Sequence, residues 1–391
     1  MQKLKNWWQN HRKWLINDIV FPTTIIKVML LIVGWFSQYF QFSTDYFSLG
    51  TSPRPWVFSK IRWLDIWARW DSGWYLHLAK HSYQTANQGD PTSINWAFFP
   101  LYPWLIKLSS WLVPTQLRTT ETWLILGIII SNLSLLLGLS LLYLLVKQIW
   151  KSPQIARLTI WYLLIFPTSF FLGTVYSEAV FFCLAVASFY LAYQQKWFLT
   201  ALTASLLTLT RPLGILILMP LLWLYAQKKH WQLKKPGWQW LYLALIPLTL
   251  LSFFTYAYSQ TQSWLAPVQA QQAWKRQLDW PWQALFHSQH FIGYITPLDR
   301  VFTWLGVGLS FLGVVILPAS LAIYGLLLTI APLFSNSLLS ISRFLTVVFP
   351  SFIILAIWGH KHRRLNRLIQ VIFLSLQVLL FAAWCQLHWV G

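Results

Sequence analysis

Apolar segments long enough to cross a lipid bilayer recur along the whole chain, and they limit its fold more than any other feature. A membrane-spanning helix needs about 20 mostly apolar residues to cross a hydrocarbon core about 30 Å thick. Backbone N–H and C=O groups find no water there, so helices with internal hydrogen bonds are expected. The candidate segments are roughly 21–42, 98–114, 122–147, 158–173, 178–195, 198–226, 238–259, 300–317, 319–334, 344–359 and 368–390. The sequence predicts an all-α, polytopic membrane protein with about 10–12 membrane segments.

The charged residues agree with this class and exclude others. They make up 10% of the chain, against about 25% in an ordinary soluble domain. No stretch has the length and polarity of a separate soluble domain, so residues 1–391 are expected to form one integral-membrane domain. The net charge of +20 does not indicate a nucleic-acid partner, because Lys and Arg cluster in short loops, as they do on the cytoplasmic side of membranes. The basic start and the apolar run after it lack a small-residue cleavage site, which favours a retained first helix.

Two long polar stretches, 43–97 and 260–298, are predicted to be loops on the same, outer side of the membrane. The basic loops at 1–13, 228–235 and 360–367 are expected to be cytoplasmic. One crossing separates 1–13 from the first polar stretch, and one separates 228–235 from the second.

Two points of the topology stay open. Segment 98–114 either crosses the membrane or lies at its interface, so the side of the loop with Lys147, Lys151 and Arg157 is not fixed. Segment 198–226 is either one long helix or two short ones.

Acidic residues are so few that each one is informative: the chain has 9 in 391 residues. Asp65 has Arg69 four residues later, which predicts an ordinary exposed ion pair worth about 0.3 kcal/mol. Asp71, read within a helix, has Trp67 and Tyr75 one turn away and no local cation. An unpaired carboxylate at a membrane surface is costly unless it has a function. We therefore predict that Asp71 is a catalytic base.

Glu178 is the second acidic candidate. It lies between apolar segments, with Thr174 and Phe182 as its helical neighbours and no cation among them. An ionisable residue at membrane depth is a functional candidate by default. The alternative is an interfacial cap that accepts amides at the start of a helix.

Two arginines are candidates for holding a phosphate, and Lys275 with Arg276 in the second polar stretch is the alternative. Arg211 interrupts an apolar run and precedes Pro212, whose ring frees helix carbonyls, so its guanidinium either partners those carbonyls or binds a phosphate. Arg343 begins the segment that descends to the basic cluster His360–Arg364, which places it at the outer face, where topology does not favour cations.

Other polar groups are assigned more ordinary roles. In the second polar stretch, Asp279 follows Lys275 by four residues and Arg276 by three, which predicts a solvated ion pair. His77 and His81 are four apart, but a third ligand at helical spacing is missing, so a zinc site is not favoured.

Taken together, the polar motifs resemble one family. The successive segments RWDSGWYLHLAKHSY, NWAFFPLYP, FPTSFFLGTVYSEAVFF, LTLTRPLG, APVQAQQAW and SRFLTVVFP look like the motifs of the PIG-V family, in the same order and over most of the chain. Members are mannosyltransferases of the GT-C membrane fold. The short loops look more like those of a bacterial homologue, and the family often has Tyr where Phe344 stands.

The resemblance implies a polyprenyl-phosphate-linked mannose donor, a lipid- or glycan-linked acceptor and an active site on the extracytoplasmic side of a bacterial plasma membrane. It also implies a catalytic Asp in the first outer loop, which matches Asp71. The residues expected to bind substrate lie within or beside these motifs: Arg69, Trp70, Tyr75, Tyr176, Glu178, Arg211, Gln271, Trp274 and Arg343.

The chemistry of such a transfer suits these residue types. A base that removes the proton of the attacking hydroxyl contributes about 10²–10⁴-fold, and Asp71 is the candidate. The leaving phosphate needs charge stabilisation, for which Arg211 and Arg343 are the candidates. A single displacement inverts the anomeric centre. No metal or other cofactor is expected, because the chain shows no acidic cluster to hold a divalent ion.

Two other functions fit some of these features. A transporter or flippase of lipid-linked saccharides also carries ionisable residues inside a helix bundle. No inverted repeat and no second copy of the Asp71 segment is found, which disfavours it. A non-catalytic scaffold subunit is the other alternative, and the single Asp in an asymmetric loop favours an enzyme over it.

Overall fold

A computed structural model describes residues 13–39, 57–83, 93–231, 237–287 and 295–390, and in these ranges the chain is helical, with no β-strand. The helices of seven or more residues in regular α-conformation, numbered in chain order and with α1 beginning in a π-helical turn, are α1 (Leu15–Ser37), α2 (Ser72–His81), α3 (Leu101–Ser110), α4 (Thr120–Trp150), α5 (Pro153–Ile165), α6 (Glu178–Tyr193), α7 (Trp197–Thr208), α8 (Leu218–Lys228), α9 (Leu245–Thr261), α10 (Pro281–His287), α11 (Ile295–Ile316), α12 (Ala319–Ile330), α13 (Phe349–Lys361) and α14 (Arg363–Cys385).

Short helical turns connect many of these helices, and several of them carry residues of the site. They are Arg62–Asp65, Ile94–Ala97, Thr115–Leu117, Ser169–Gly173, Pro212–Ile217, Trp238–Ala244, Ala266–Gln269, Ala270–Trp274, Ala331–Ser335 and Ile341–Leu345.

Five helices of the described residues are long and apolar enough to cross a membrane: α1, α4, α9 with the turns before it, α11 and α14. In α1 the side chains of Ile25, Val28, Ile32 and Phe36 are exposed. Their spacing of three to four residues puts them on one helical face, while Ile26 and Leu30 on the other face are buried. An apolar face exposed on a long helix is suited to lipid, and the predicted all-α membrane class is confirmed.

The segments left open by the sequence take definite forms. α3 has ten residues and is therefore only about 15 Å long, which is too short to cross the bilayer. Segment 198–226 forms two helices, because α7 ends at Thr208 and a turn of 3₁₀-helix begins at Pro212.

Packing within the bundle is closest where small residues let backbones approach. α4 packs extensively against α6, and a Cβ atom on Gly138 would lie 2.7 Å from the Phe182 ring and 3.1 Å from the Cys183 backbone. Small residues at such crossings favour association of helices in lipid, where packing replaces the hydrophobic effect.

The basic residues gather at one end of the bundle. Tyr162, on α5, donates a hydrogen bond to Asn366 at the start of α14, at 2.7 Å. Thr168, six residues further along and just beyond the end of α5, donates to the backbone oxygen of Ser342 at 2.8 Å. Lys228, at the end of α8, lies over the ring of Tyr193 at the end of α6. α6 and α13 end at basic residues, since Lys228 lies beside the end of α6 and α13 ends in His360 and Lys361. Glu178 begins α6, and Ser342 precedes α13, at the opposite end.

The loop with Lys147, Lys151 and Arg157 lies at the basic end. Arg157 pairs with Asp18 of α1, its Nε 3.0 Å from the carboxylate oxygen, and Trp14 stacks on Tyr143 of α4. The start of α1 therefore meets the end of α4 and the start of α5, and the position that the sequence left open is determined by these contacts.

Candidate active site

A cavity of about 340 Å³ lies at the end of the bundle opposite Lys228, His360 and Lys361. Its volume is in the range of small-molecule sites, about 300–1,000 Å³. Six of the ten predicted site residues line it: Asp71, Tyr75, Arg211, Gln271, Trp274 and Arg343. Segments far apart in sequence thus meet at one place.

Asp71 follows a strained backbone position. Trp70 has φ of +48°, in the left-handed region that bulky residues rarely adopt. Such a conformation costs about 1–3 kcal/mol and persists only where the surroundings impose it. Trp70 is buried, and its ring contacts that of Trp389 edge-on. The helix expected to run from Trp67 through Asp71 does not form. Asp71 lies instead immediately before α2.

The Asp71 carboxylate is paired, which corrects the expectation that it has no cationic partner. Its Oδ2 accepts a hydrogen bond from Arg343 at 2.8 Å, across 272 residues of sequence. Asp71 is 8% exposed and lines the cavity, so the pair is nearly buried but accessible from the cavity. The reason for proposing a base therefore changes: it is the position of the carboxylate in the cavity and not the absence of a partner.

Glu178 lies beneath the same arginine and is fully buried. Its Oε1 pairs with Arg211 and lies 3.3 Å from Nε of Arg343. Although Glu178 begins α6, it makes no hydrogen bond to a helix amide among the described residues. The interfacial-cap interpretation is therefore wrong, since this carboxylate holds two guanidinium groups in place.

Arg211 does not act as a partner for carbonyls freed by Pro212. Its Nε donates to Ser177 Oγ at 3.0 Å, and its guanidinium forms an ion pair with Glu178. Ser177 also hydrogen-bonds the hydroxyl of Tyr75 at 2.9 Å. Burial raises the pKa of Tyr75 to about 12, so this hydroxyl is neutral at physiological pH and orders the wall of the cavity.

Three guanidinium groups surround one ring, and we call Arg211, Arg276 and Arg343 the arginine cluster. Each lies 5.5–5.6 Å from the centre of the Phe344 ring. Cations are attracted to the faces of aromatic rings at about this distance. The Phe344 ring thus contacts all three members of the arginine cluster, and these contacts need no hydroxyl group at this position.

Tyr176 supports Asp71 from below. Its hydroxyl accepts a hydrogen bond from the Asp71 amide and donates one to the backbone oxygen of Arg69, both at 3.2 Å. Tyr176 is fully buried beside Arg343. Tyr176, Trp70 and Glu178 are therefore predicted site residues that lie behind the cavity wall.

Arg69 is turned away from the cavity, and the exposed ion pair expected for it is wrong. Asp65 and Arg69 are 4% and 3% exposed, and their side chains meet at 2.6 Å. Asp65 also accepts the amides of Phe58 and Ser59, at 2.6 and 3.0 Å. Arg69 is not among the residues that line the cavity.

The second outer loop contributes one wall. Gln271 accepts a hydrogen bond from Arg276 at 2.9 Å, and Trp274 contacts the Phe98 ring. Arg276 forms no ion pair with Asp279 among the described residues, contrary to the expectation from their spacing, since Asp279 instead accepts the amide of Trp280. Parts of both predicted outer loops, 43–56, 84–92 and 288–294, lie outside the described residues.

His77 and His81 lie close together, with ring centres 4.8 Å apart. In the described ranges, no group of three or more His, Cys, Asp or Glu is placed to hold a metal ion.

Among the cavity residues that were not predicted as site residues are Phe98, Arg276, Phe344 and Trp389, of which Arg276 had been assigned to an ion pair with Asp279. Phe98 and Phe344 read as ordinary core aromatics within apolar runs. Trp389 lies near the C-terminal end and carries no motif. For Phe344, the available signal was its position directly after Arg343 in a polar motif.

Solved structures with a similar fold are membrane proteins. ArnT from Cupriavidus metallidurans bound to undecaprenyl phosphate superposes with a TM-score of 0.50 at 15% identity, over 77% of this chain and 57% of that chain. The oligosaccharyltransferase of Archaeoglobus fulgidus, tethered with an acceptor peptide, has a TM-score of 0.49 at 12% identity, over 97% and 56%. The chain spans little more than half the length of these proteins. The similarity to ArnT confirms the predicted GT-C membrane fold.

The sequence matches one protein family. Residues 57–263, more than half of the chain, match the family described as Mannosyltransferase (PIG-V). The chain belongs to this family, as its motifs predicted. A search of curated proteins gives no match.

Proposed function

We propose that this chain transfers a hexose, the mannose of its family's name, from a polyprenyl-phosphate-linked donor to a lipid- or glycan-linked acceptor. The observation that carries the proposal is the Asp71 carboxylate in the wall of a cavity that also holds three guanidinium groups. A base beside a cationic site is what transfer from a sugar phosphate requires. The ArnT structure contains undecaprenyl phosphate, which supports a lipid-phosphate donor.

The proposed reaction is one displacement. The acceptor hydroxyl oxygen forms a bond to the anomeric carbon, and the bond from that carbon to the phosphate oxygen breaks. The electron pair leaves with the phosphate, and the hydroxyl proton passes to Asp71. Attack opposite the leaving group inverts the anomeric configuration. No metal ion is given a role in this scheme.

The resting ion pair sets a condition on Asp71. The hydrogen bond from Arg343 occupies Oδ2 of Asp71 in the resting protein, so only part of the carboxylate is free to accept a proton. Burial alone would lower the pKa of Arg343, but the Asp71 and Glu178 carboxylates raise it above its usual value. We propose that the arginine cluster interacts with the negative charge that develops on the leaving phosphate. This interaction weakens the hydrogen bond from Arg343 to Asp71.

The residues around the base are proposed to position it and the substrates. Glu178 fixes Arg211 and Arg343, and Tyr176 fixes the backbone of Asp71. Tyr75, Gln271 and Trp274 provide polar and aromatic surface for the sugar. Trp70 orients Asp71 through its strained backbone, and Arg69 supports the same turn through Asp65.

We propose that the cavity faces the extracytoplasmic side of a bacterial plasma membrane. It lies at the end of the bundle opposite Lys228, His360 and Lys361. Positive residues concentrate on the cytoplasmic side of membrane proteins, which supports this orientation.

A transfer assay tests the function. The purified protein in proteoliposomes receives polyprenyl-phosphate mannose with labelled sugar and a mixture of membrane lipids and glycans. The proposal requires a labelled product with inverted anomeric configuration and release of polyprenyl phosphate. Movement of intact donor across the bilayer without that release would identify a flippase instead.

Cysteine labelling tests the orientation. A single cysteine at Gln262 should react with an impermeant reagent in intact cells, whereas one at Lys361 should react only after permeabilisation. Both residues are exposed, so accessibility reports the side of the membrane. The reverse pattern would place the cavity on the cytoplasmic side.

A further inference from the structure

The charges around the cavity do not balance within the described residues. Asp71 pairs with Arg343, and Glu178 pairs with Arg211 and Arg343. Two carboxylates therefore face the three guanidinium groups of the arginine cluster. The third, Arg276, belongs to no ion pair in the described part of the chain. One positive charge is left over beside the proposed base.

Arg276 has only neutral hydrogen-bond partners. It donates to the side-chain oxygen of Gln271 at 2.9 Å and to the backbone oxygen of Leu339 at 3.2 Å. Its Nε is buried and makes no hydrogen bond. A partly buried cation without an anion is costly, whereas hydrogen bonds from a guanidinium to an anion are among the strongest in proteins.

The electrostatic surroundings of Arg276 differ from those of Arg343. Burial and the positive charges of Arg343 and Arg211 lower the pKa of Arg276 to about 10, although the Asp71 carboxylate offsets part of this effect. The side chain stays protonated at neutral pH. An anion bound beside Arg276 would offset both the cost of burying its charge and the repulsion from Arg343 and Arg211.

The chain is shaped to turn this side chain inward. Lys275 has φ of +55°, so the backbone reverses sharply just before Arg276 and leaves Lys275 exposed. The next residues dock on the turn Ala331–Ser335, since the amide of Gln277 donates to Ser335 at 3.3 Å and that of Asp279 to Phe334 at 2.9 Å. Arg276 is thus held at the cavity by contacts on both sides.

The lining next to Arg276 is apolar. Val268 and Leu278 border the cavity and are 55% and 92% exposed. An exposed apolar border beside a lone cation matches a ligand with one anionic group and a hydrocarbon chain.

We infer that Arg276 binds the phosphate of a polyprenyl-phosphate ligand, and that Arg211 and Arg343 hold Glu178 and Asp71 in place. This inference rests on the proposed function and deepens it, because it names the member of the arginine cluster that forms no ion pair with a described residue. The expectation from sequence favoured Arg211 or Arg343 for the phosphate and gave Lys275 with Arg276 only as the alternative.

A binding experiment without turnover tests the inference. Calorimetric titration of the detergent-solubilised protein with undecaprenyl phosphate is compared among wild type, Arg276→Gln, Arg276→Lys and Lys275→Gln. Losing the charged hydrogen bonds of Arg276 should weaken binding by about tenfold or more in Arg276→Gln. Arg276→Lys should fall between, because lysine keeps the charge but not the forked geometry. Lys275→Gln removes the same charge one residue away and should leave affinity little changed.

The outcomes separate this inference from the proposed function. Equal affinity of Arg276→Gln and wild type, with equal melting temperatures, would overturn the inference even if the wild-type protein transfers sugar. Weakened binding in Arg276→Gln supports it even if no transfer is found. Neutral polyprenol and inorganic phosphate are the other titrants: binding of inorganic phosphate without binding of the lipid would overturn the lipid source of the anion. An equal loss of affinity in Lys275→Gln would overturn the specific site and indicate a general effect of charge.

Discussion

Asp65 and Asp71 lie six residues apart, and each pairs with an arginine, yet their surroundings differ in one essential way. Asp65 takes Arg69 from the next turn and two backbone amides from the preceding segment. Asp71 takes Arg343 from the far end of the chain and lines the cavity. The first pair has its hydrogen bonds closed within the protein, whereas the second is open to a ligand. The comparison indicates that a buried ion pair holds the fold where it is enclosed and can take part in chemistry where it borders a cavity.

The largest expected effect is on turnover at Asp71. Asp71→Asn keeps the shape of the side chain and removes its basicity, so transfer should fall by about 10²–10⁴-fold. Initial rates in proteoliposomes measure the loss, and melting temperature should change little. Near-normal turnover in this variant would exclude Asp71 as the base.

The next effect is on stability at Asp65. Asp65→Asn leaves Arg69 without its carboxylate partner, and breaking a buried pair from one side costs about 3–5 kcal/mol. We expect a clear drop in melting temperature and in folded yield, with the remaining folded protein retaining its specific activity. A folded, stable Asp65→Asn protein that has lost transfer would instead assign the catalytic role to Asp65.

A smaller effect is expected from Arg343→Lys. Lysine keeps the charge beside Asp71 but cannot reach Asp71 and Glu178 in the same geometry. Loss of charged hydrogen bonds worth about 1.5–3 kcal/mol corresponds to a transfer rate lower by about 10- to 100-fold. The rate constant at saturating donor measures this.

A double variant sharpens the comparison of the two pairs. If Arg343 acts through Asp71, Arg343→Lys should add little to the loss already caused by Asp71→Asn. Losses that multiply would mean that the two residues act independently.

The smallest effect is expected at Phe344. Phe344→Tyr keeps the ring around which the arginine cluster is arranged, so transfer should stay close to the wild-type rate. Phe344→Leu removes the contacts of that ring with three guanidinium groups, worth about 0.5–1 kcal/mol each at exposed sites, and should lower activity measurably. Equal rates for the tyrosine and leucine variants would show that the ring has no role in the cluster.

Much of the fold could be predicted because the relevant signals are local. Apolar segments of about 20 residues report membrane helices directly, and Pro212 reports the break between α7 and α8. The family motifs are also local strings, which is why the match over residues 57–263 agrees with the resemblance. Six residues that line the cavity could be predicted for the same reason, since polar motifs inside an apolar chain are easily recognised.

The errors share one cause: sequence spacing says which residues can meet within a helix and nothing about partners from other helices. Local spacing assigned Asp65 and Arg69 to a solvated surface, but α14 covers them, and Arg69 reaches the backbone oxygen of Cys385. The same reasoning left Asp71 without a cation and paired Arg276 with Asp279.

The sequence by itself determined the class of protein, the family and the few polar residues worth attention, because composition, apolar length and motif order are properties of a single chain read in line. Only the tertiary structure decided which charges neutralise each other. Coulombic and hydrogen-bond energies depend on distances of a few ångströms and on burial, and packing of the helices sets both. That packing brings Arg343 to Asp71 and leaves Arg276 as the member of the arginine cluster that pairs with no described carboxylate.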